Sequence, residues 1–427
     1  MGTETTEGDQ QQNSKPLLYA AIVIIVGVFA TTLAQFQVLG LIPLKNLLKN
    51  ELHADRAATA AFFFWIQFAW YFKPFAGIIT DAFPVFGTRR KSYMLIGAIL
   101  TVASWITLYF TPHQYGKLLW ACIAINIFTV VTSTVVGGYM VETAQAFSAP
   151  GRLTSVRNFV EQFCYVVGGP AGGFLAAIAF GWTSGAAAAI VFLVVPVTVL
   201  FLHEQRKKIN SKEILNQAGK QFVKIANAKT MWAAAGFMSL FYCAPGIMTA
   251  VFYRQQDVLH MTTEGQGTLV FLSGSFGVLA AALYGGFACR RFNLRTLLIC
   301  CLLFGAAAQL GYLFYSTVGR ARIIESFNGF GYTLAEVAMM HLAVRATPSG
   351  SEGLGFALMM SVRNLSLFGS DWVGSKLLEV YHLHFSTLVI ANGAFSLLAV
   401  PLVFLLPALM VDNKDAGAPR MSRAVGK

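Results

Sequence analysis

Twelve stretches of about twenty apolar residues follow one another along this chain, at roughly 17–40, 57–80, 92–110, 117–141, 154–180, 184–203, 231–253, 267–288, 295–315, 322–343, 353–377 and 386–410. A bilayer core takes about 20 consecutive apolar residues per helix, so the solvent this pattern predicts is lipid. Only 12% of the 427 residues are charged and 56% are hydrophobic, whereas soluble globular chains carry about 25% charged residues. Almost nothing remains for a soluble domain. The expected class is an all-α membrane protein of twelve transmembrane helices.

The chain opens on MGTETTEGDQ, polar and acidic, which supplies neither the basic start of a secretory signal nor an Arg-rich transit sequence. The first apolar helix is therefore expected to be retained as a span. MGTETT also fits the myristoylation pattern M-G-x-x-x-S/T, although ahead of twelve spans a single lipid adds nothing to anchoring. All six cysteines (Cys122, Cys164, Cys243, Cys289, Cys300, Cys301) fall within or at the ends of apolar spans, and none forms a C-x-x-C pair. They read as small buried hydrophobes, and no metal site is expected.

Basic residues set the orientation, because cytoplasmic loops retain Lys and Arg. With the amino terminus inside, twenty Lys and Arg fall in inner segments and eight in outer loops, while Lys73, Arg157 and Arg363 remain within spans. Both termini are expected on the cytoplasmic side of a plasma or bacterial inner membrane. The net charge of +12 then reads as topology and attraction to anionic lipid. Nucleic acid is not an expected partner.

The one long polar segment, HEQRKKINSKEILNQAGKQFVKIANAK, lies almost at the middle and divides six helices from six. The expected organisation is a tail at 1–16, a six-helix bundle at 17–203, a basic linker at 204–230, a second six-helix bundle at 231–410 and a tail at 411–427. In the linker Ile209, Leu215, Phe222 and Ile225 recur loosely at helical spacing among lysines. That suits either an amphipathic helix on the inner membrane surface or a solvated connection. SVRN occurs at 155–158 and again at 361–364, each time in an apolar helix after a Pro/Gly loop, and GIITDAFPVFGTRRK after span two has an echo in YGGFACRRFNLRT after span eight. Recurrence six spans apart predicts two pseudo-symmetric halves, with a substrate bound between them near the bilayer midplane.

Six plus six helices, a basic central loop, and G-x-x-x-D followed by a basic cluster after span two resemble the major facilitator superfamily, whose fold the chain is expected to share. The resemblance implies a cytoplasmic latch between spans two and three. The residues agree: Asp81 ends its helix, and Arg89, Arg90 and Lys91 follow on the inner side, so carboxylate and guanidinium groups can lock the halves and release them. Topology alone would account for the basic residues but not for Asp81. KPFAGIITDAFPVFGTRRKSY, with Lys73-Pro74, Gly77, Asp81, Pro84, Gly87, Arg89, Arg90 and Tyr93 in register, resembles more closely the folate-biopterin transporter family. LKNLLKNELHADRAATAA and PSGSEGLGFALMMSVRN resemble its pattern as well. This resemblance implies movement of folates, pterins and related compounds, commonly with protons. One feature points elsewhere: GGPAGG at 168–173 is one residue short of the G-P-x-x-G-G signature of major facilitator antiporters, although small residues also let helices pack closely.

An ionised side chain in lipid costs several kcal/mol, so each one within a span is a candidate functional group. Lys73, loosened by Pro74, reads as an anchor that snorkels toward the inner interface or as a substrate contact. Arg157 and Glu161 share a helix face as an internal ion pair or a ligand contact, with Arg157 a gating candidate and Glu161 a proton-coupling one. Arg363 lies about ten residues into span eleven with Asn364 beside it, and a central guanidinium forks well onto a carboxylate, which folates carry. Glu325, Asn328, Tyr332 and Glu336 fall along one stripe of span ten. Glu336 or Glu325 could accept a proton outside and lose it inside, unless Arg345 or Arg322 neutralises it. A pterin ring wants a carboxylate in plane and an aromatic face above, which Asp371 with Trp372, or Glu161 with Tyr165, could supply. Gln35, Gln37, Gln67 and Asn126 are further cavity candidates, amides that otherwise bond between helices. Pro245-Gly246 predicts a break in span seven and a hinge there.

Taken together these features predict a secondary transporter working by alternating access, with proton-coupled uptake of folate, pterin or a related compound as the leading reading. A proton-coupled exporter of another aromatic or anionic compound, and a non-transporting membrane receptor, are the alternatives. No Walker A, H-E-x-x-H, G-x-S-x-G or paired C-x-x-C motif marks an enzyme. No cofactor is expected beyond the proton gradient as energy source, and the expected partners of the monomer are the bilayer, protons and a small-molecule substrate.

Overall fold

The computed structural model describes residues 7–146, 150–204, 210–348 and 351–412. The myristoylation pattern, Ile209 with the basic run Arg206, Lys207 and Lys208, and the tail from residue 413 lie outside the described residues. The chain forms two compact units, one spanning Met1–Lys220 with Thr262–Phe271 and the other Gln221–Met261 with Leu272–Lys427.

The first unit holds α1 (Glu7–Leu33), α2 (Leu41–Asn46), α3 (Arg56–Ile66), α4 (Phe68–Tyr71), α5 (Lys73–Ala82), α6 (Lys91–Phe110), α7 (Tyr115–Ala146), α8 (Pro150–Ala176), α9 (Phe180–Phe192) and α10 (Val194–Phe201). Helix α6 packs along α7 and α9, and α1 lies against α7, α8 and α10. Their shared core is apolar, with Trp105 buried and its ring 4.7 Å from that of Phe36. The linker forms α11 (Ser211–Ala226), in which Ile225 is buried while Leu215 and Val223 are exposed among lysines.

The second unit follows with α12 (Lys229–Tyr242), α13 (Met248–Asp257), α14 (Thr263–Leu283), α15 (Cys289–Arg291), α16 (Leu294–Leu310), α17 (Val318–Ala346), α18 (Glu352–Glu379), α19 (Phe385–Leu402) and α20 (Ala408–Val411). The first turns of α14 belong to the first unit. Helix α16 packs against α17 and α19, and α12 against α17, α18 and α19, around Met238, Leu298, Met339, Leu342 and Met359.

Large apolar side chains also face outward: Phe110, Trp120, Phe159 and Leu405 are each more than 70% exposed. Water would not tolerate a surface of this kind, and lipid does. Among the described residues, six segments are long and apolar enough to cross a membrane, at Lys91–Phe110, Tyr115–Thr143, Phe180–Phe201, Thr263–Ala288, Leu294–Phe314 and Phe385–Leu405. The remaining expected spans are also helical, and they fall short for two physical reasons. Some are interrupted, as between α3, α4 and α5 or between α12 and α13, and others carry charge, as Arg157 and Glu161 do in α8.

Helix ends repeat as well. His53 and His260 both adopt left-handed backbone, with φ of 50° and 47°. After the first helix end, the Leu52 and Ala54 amides bond to the Leu47 and Leu48 carbonyls; after the second, Leu259 and Met261 bond in the same way to Arg254 and Gln255. A residue in this conformation closes a helix, a position that Gly or Asn ordinarily takes. The Leu-His pair at 52–53 and 259–260 thus extends the internal repeat beyond the SVRN strings.

The glycines of GGPAGG lie in α8. A Cβ added at Gly172 would stand 2.9 Å from the Leu39 carbonyl, one at Gly169 2.9 Å from that of Gly267, and one at Gly173 2.7 Å from that of Thr263. Backbone therefore meets backbone on two sides of this helix, the close-packing role of small residues. Cys122, Cys164 and Cys301 are buried as expected, but Cys243 and Cys300 are exposed. A thiol is apolar enough to face lipid as readily as a core.

Candidate functional site

Helix α18 carries the second SVRN string and sets Arg363 against α17 and α12. Its Nη2 donates to Glu336 Oε1 on α17, and its Nη1 donates to Asn364 Oδ1 at 2.8 Å. The guanidinium carbon lies 5.3 Å from the centre of the Tyr242 ring on α12, within cation–π range. One donor, the Nε proton, is buried and makes no hydrogen bond. Glu336 is therefore neutralised by Arg363 rather than by Arg345, which lies at the far end of α17 and donates to the Met410 carbonyl at 3.0 Å.

The span-ten stripe divides into two sites. Tyr332 and Glu336 belong with Arg363, whereas Glu325, about 16 Å back along the helix, sits in a cluster of neutral donors. Tyr315 and Tyr312 donate to its two oxygens at 2.9 and 3.1 Å. Gln255 Nε2 donates to the Tyr315 hydroxyl at 2.9 Å, and Asn328 Nδ2 donates to the Tyr312 hydroxyl at 3.0 Å. Glu325 is 8% exposed, and among the described residues its hydrogen-bond partners are the neutral Tyr312, Tyr315 and Gln255, with Arg322 not among them.

Span seven is interrupted between Tyr242 and Met248, where YCAPG predicts a break. The Gly246 amide donates to the Ser370 carbonyl at 2.9 Å, and a Cβ at Gly246 would run into the Asp371 backbone. Asp371 caps the second half of the helix, its Oδ1 accepting from the Thr249 amide at 3.0 Å and its Oδ2 from the Thr249 hydroxyl at 2.6 Å. Trp372 instead lies beneath Lys376, 4.4 Å from Nζ to ring centre. The expected clamp of Asp371 and Trp372 is not formed, because neighbouring residues on a helix point about 100° apart.

In the first unit, Lys73 opens α5 and turns into the bundle rather than toward the interface. Its Nζ donates to Ser133 Oγ at 3.1 Å and stands 4.8 Å from the centre of the Trp70 ring. Trp70 Nε1 in turn donates to Asn126 Oδ1 at 2.9 Å. Arg157 Nε and Glu161 Oε1 form the same-helix pair at 2.9 Å. Gln35, just past the end of α1, donates to the Thr31 carbonyl in the last turn of that helix at 2.5 Å. Gln67 marks the break between α3 and α4, and its Oε1 is buried without a partner, as is Gln37 Nε2.

The loop before α6 gathers the remaining charges. Asp81 pairs with Arg90 at 2.7 Å, while Glu142 accepts from Arg90 at 2.9 Å and from Arg89 at 3.1 Å. Glu204 takes the amides of Arg89, Arg90 and Lys91 at 2.9, 2.9 and 2.8 Å, which caps the amino end of α6. Lys91 Nζ reaches the Val199 carbonyl at 3.3 Å. Each of these contacts lies within the first unit, although Arg90 Nε is buried there without a hydrogen bond. Sequence reasoning missed Glu142 and Glu204. The available signal was their charge, two acidic residues at the ends of apolar spans close to a basic loop.

A sequence profile described as the BT1 family matches residues 36–425. The chain belongs to the BT1 family. It is 24% identical over 394 residues to the probable folate-biopterin transporter 2 of Arabidopsis thaliana, covering 85% of this chain and 77% of that one. It is 26% identical over 398 residues to the folate-biopterin transporter of Synechocystis sp., covering 86% and 78%. Among solved structures, a D-xylose–proton symporter superposes with a TM-score of 0.66 at 15% identity, covering 92% of this chain and 98% of that one. A nucleoside transporter superposes with a TM-score of 0.67 at 13% identity, again over 92% and 98%. This BT1 chain thus has the major facilitator fold and is a multi-pass membrane protein.

Among the described residues of the BT1 chain no three His, Cys, Asp or Glu side chains gather as a metal site. What the second unit offers chemically is an exchangeable pair. The unbonded Nε proton of Arg363 and the Nη2 that meets Glu336 lie along one edge of the guanidinium, the edge that a carboxylate bridges side-on.

Proposed function

We propose that this BT1 protein is a secondary transporter that takes up folates, pterins or related compounds by alternating access, driven by protons. The names of its relatives support the substrate class. The observation that carries the mechanism is the Arg363–Glu336 pair with its unused Nε proton. A substrate carboxylate arriving at Arg363 bridges Nε and Nη2 and displaces Glu336. Left without its counter-charge in a low-dielectric setting, Glu336 takes up a proton. Release of the carboxylate on the other side lets Arg363 reclaim Glu336 and discharges the proton. Substrate and proton then move together.

In this reading Tyr332 and Asn364 contact the substrate in the second unit, Lys73 is a separate contact candidate in the first, and Glu325, held by tyrosines, is a second proton carrier. Pro245 and Gly246 form the hinge. The basic inner segments support cytoplasmic termini in a plasma or bacterial inner membrane. Export is supported less well, because close packing of GGPAGG accounts for the motif that suggested it. Uptake of labelled folate into proteoliposomes, with and without acid outside, is the test. Accumulation above equilibrium only with acid outside is expected. Folate uptake that ignores the gradient overturns the coupling, and loss of preloaded folate under that gradient overturns the direction.

A further inference from the structure

Two cations of the first unit meet the same face of α7, with a single carboxylate beside them. Lys73 Nζ reaches Ser133 Oγ on that helix at 3.1 Å. Gly137 lies one turn further along the same face, where successive Cβ positions stand about 5–6 Å apart. A Cβ added at Gly137 would be 3.9 Å from Arg157 Nη1 and would touch no other described group of a neighbouring helix within 4 Å. The space beside that nitrogen is therefore open. Arg157 and Glu161 both lie within electrostatic reach of Lys73. Glu161 answers one of the two positive charges, while Ser133 and the Trp70 ring, the other contacts of Lys73, carry none. One positive charge is left over. Among the described residues Arg157 spends only Nε, on Glu161, so both terminal nitrogens of the guanidinium remain to donate. Arg157 and Glu161 are 34% and 30% exposed, and charge turned toward lipid is expensive, so the cluster opens to water.

We propose that the space against Gly137 binds a carboxylate, held between the terminal nitrogens of Arg157 and the Lys73 ammonium. The planar fork of a guanidinium takes a carboxylate in two parallel hydrogen bonds, and the ammonium adds a point charge from the other side. A single negative charge then balances the cluster inside a span, where an uncompensated charge is costly. Arg157 holds the place in the first SVRN string that Arg363 holds in the second. Arg363 meets Glu336 one for one, so the added cation, Lys73, is what gives the first unit its appetite for an anion. The source of the carboxylate rests on the folate reading: it is one that a folate carries.

The experiment is thermal unfolding of the purified protein, wild type and Arg363→Ala/Glu336→Gln, the latter so that the second unit offers no guanidinium. Each is titrated at constant ionic strength with p-aminobenzoylglutamate, the carboxylate-bearing half of folate. A saturable rise of the midpoint is expected in both, on the order of 5 °C at saturation. Lys73→Gln, or Arg157→Gln together with Glu161→Gln so that neither charge of the pair is stranded, should raise the half-saturating concentration at least about tenfold in either background. Ser239→Ala, whose hydroxyl meets Ser366 in the second unit, should leave it unchanged. Absence of a saturable rise once Arg363 is gone, or a rise that survives the Lys73, Arg157 and Glu161 substitutions combined, would overturn the site. The same rise produced by chloride through the same residues would overturn the carboxylate in favour of an inorganic anion. Uptake plays no part in the readout, so failed folate uptake beside an intact response removes the transport reading and leaves the site standing.

Discussion

Arg363 and Glu336 are 16% and 24% exposed, and at that depth the two charges depend on each other. Removing one partner of a buried pair leaves the other uncompensated, at a cost of about 3–5 kcal/mol, whereas removing both charges is close to neutral. Arg363→Ala is therefore expected to lower the unfolding midpoint sharply, and Glu336→Gln added in the same chain should restore most of it. Additive losses in the double variant would show that the two side chains act separately. Arg157 carries the same SVRN context with a different solution, since its carboxylate stands four residues on in the same helix. That pairing was readable from spacing alone. The partner of Arg363 was not, because Glu336 is 27 residues away and on another helix.

Helix ends and breaks are decided one level up. Glu204 gathers three backbone amides at the start of α6, where an anion meets both unsatisfied N–H groups and the positive end of the helix dipole. Glu204→Ala should cost about 1–2 kcal/mol of stability, and Glu204→Gln less, as read by thermal unfolding. An alanine variant as stable as wild type would remove the capping role. At the break in span seven, Gly246 gives α18 room to press its Asp371 backbone against the chain. Gly246→Ala should slow transport while the protein still inserts and stays monodisperse, because the added methyl must push α18 aside. Unchanged transport would take the hinge role away from this position. The break itself was legible from Pro245-Gly246. The cap on its second half was not: Asp371 lies 122 residues from Thr249, and a sequence reading offered it to a substrate instead.

At the scale of the whole molecule, each unit is held by its own apolar core and wrapped in an apolar surface that only lipid suits. Within that frame the Arg363 assignment makes a substrate-specific prediction. Arg363→Ala should reduce proton-driven uptake of folate, which bears carboxylates, at least about tenfold more than uptake of biopterin, which bears none, measured side by side in proteoliposomes. Equal losses would reduce Arg363 to a structural role.

The sequence alone determined that the chain lives in lipid, that it is built from helices, and that its halves echo each other. Immersion in a bilayer depends on the average character of some twenty neighbouring residues, which is a local property of the string. Tertiary structure alone decided which charge meets which. Glu204 meets the start of α6 from more than 110 residues away, and Arg90 meets Glu142 across 52. Such partners are chosen by how helices pack, and hydropathy, which places helices in the membrane, says nothing about which faces they turn to one another.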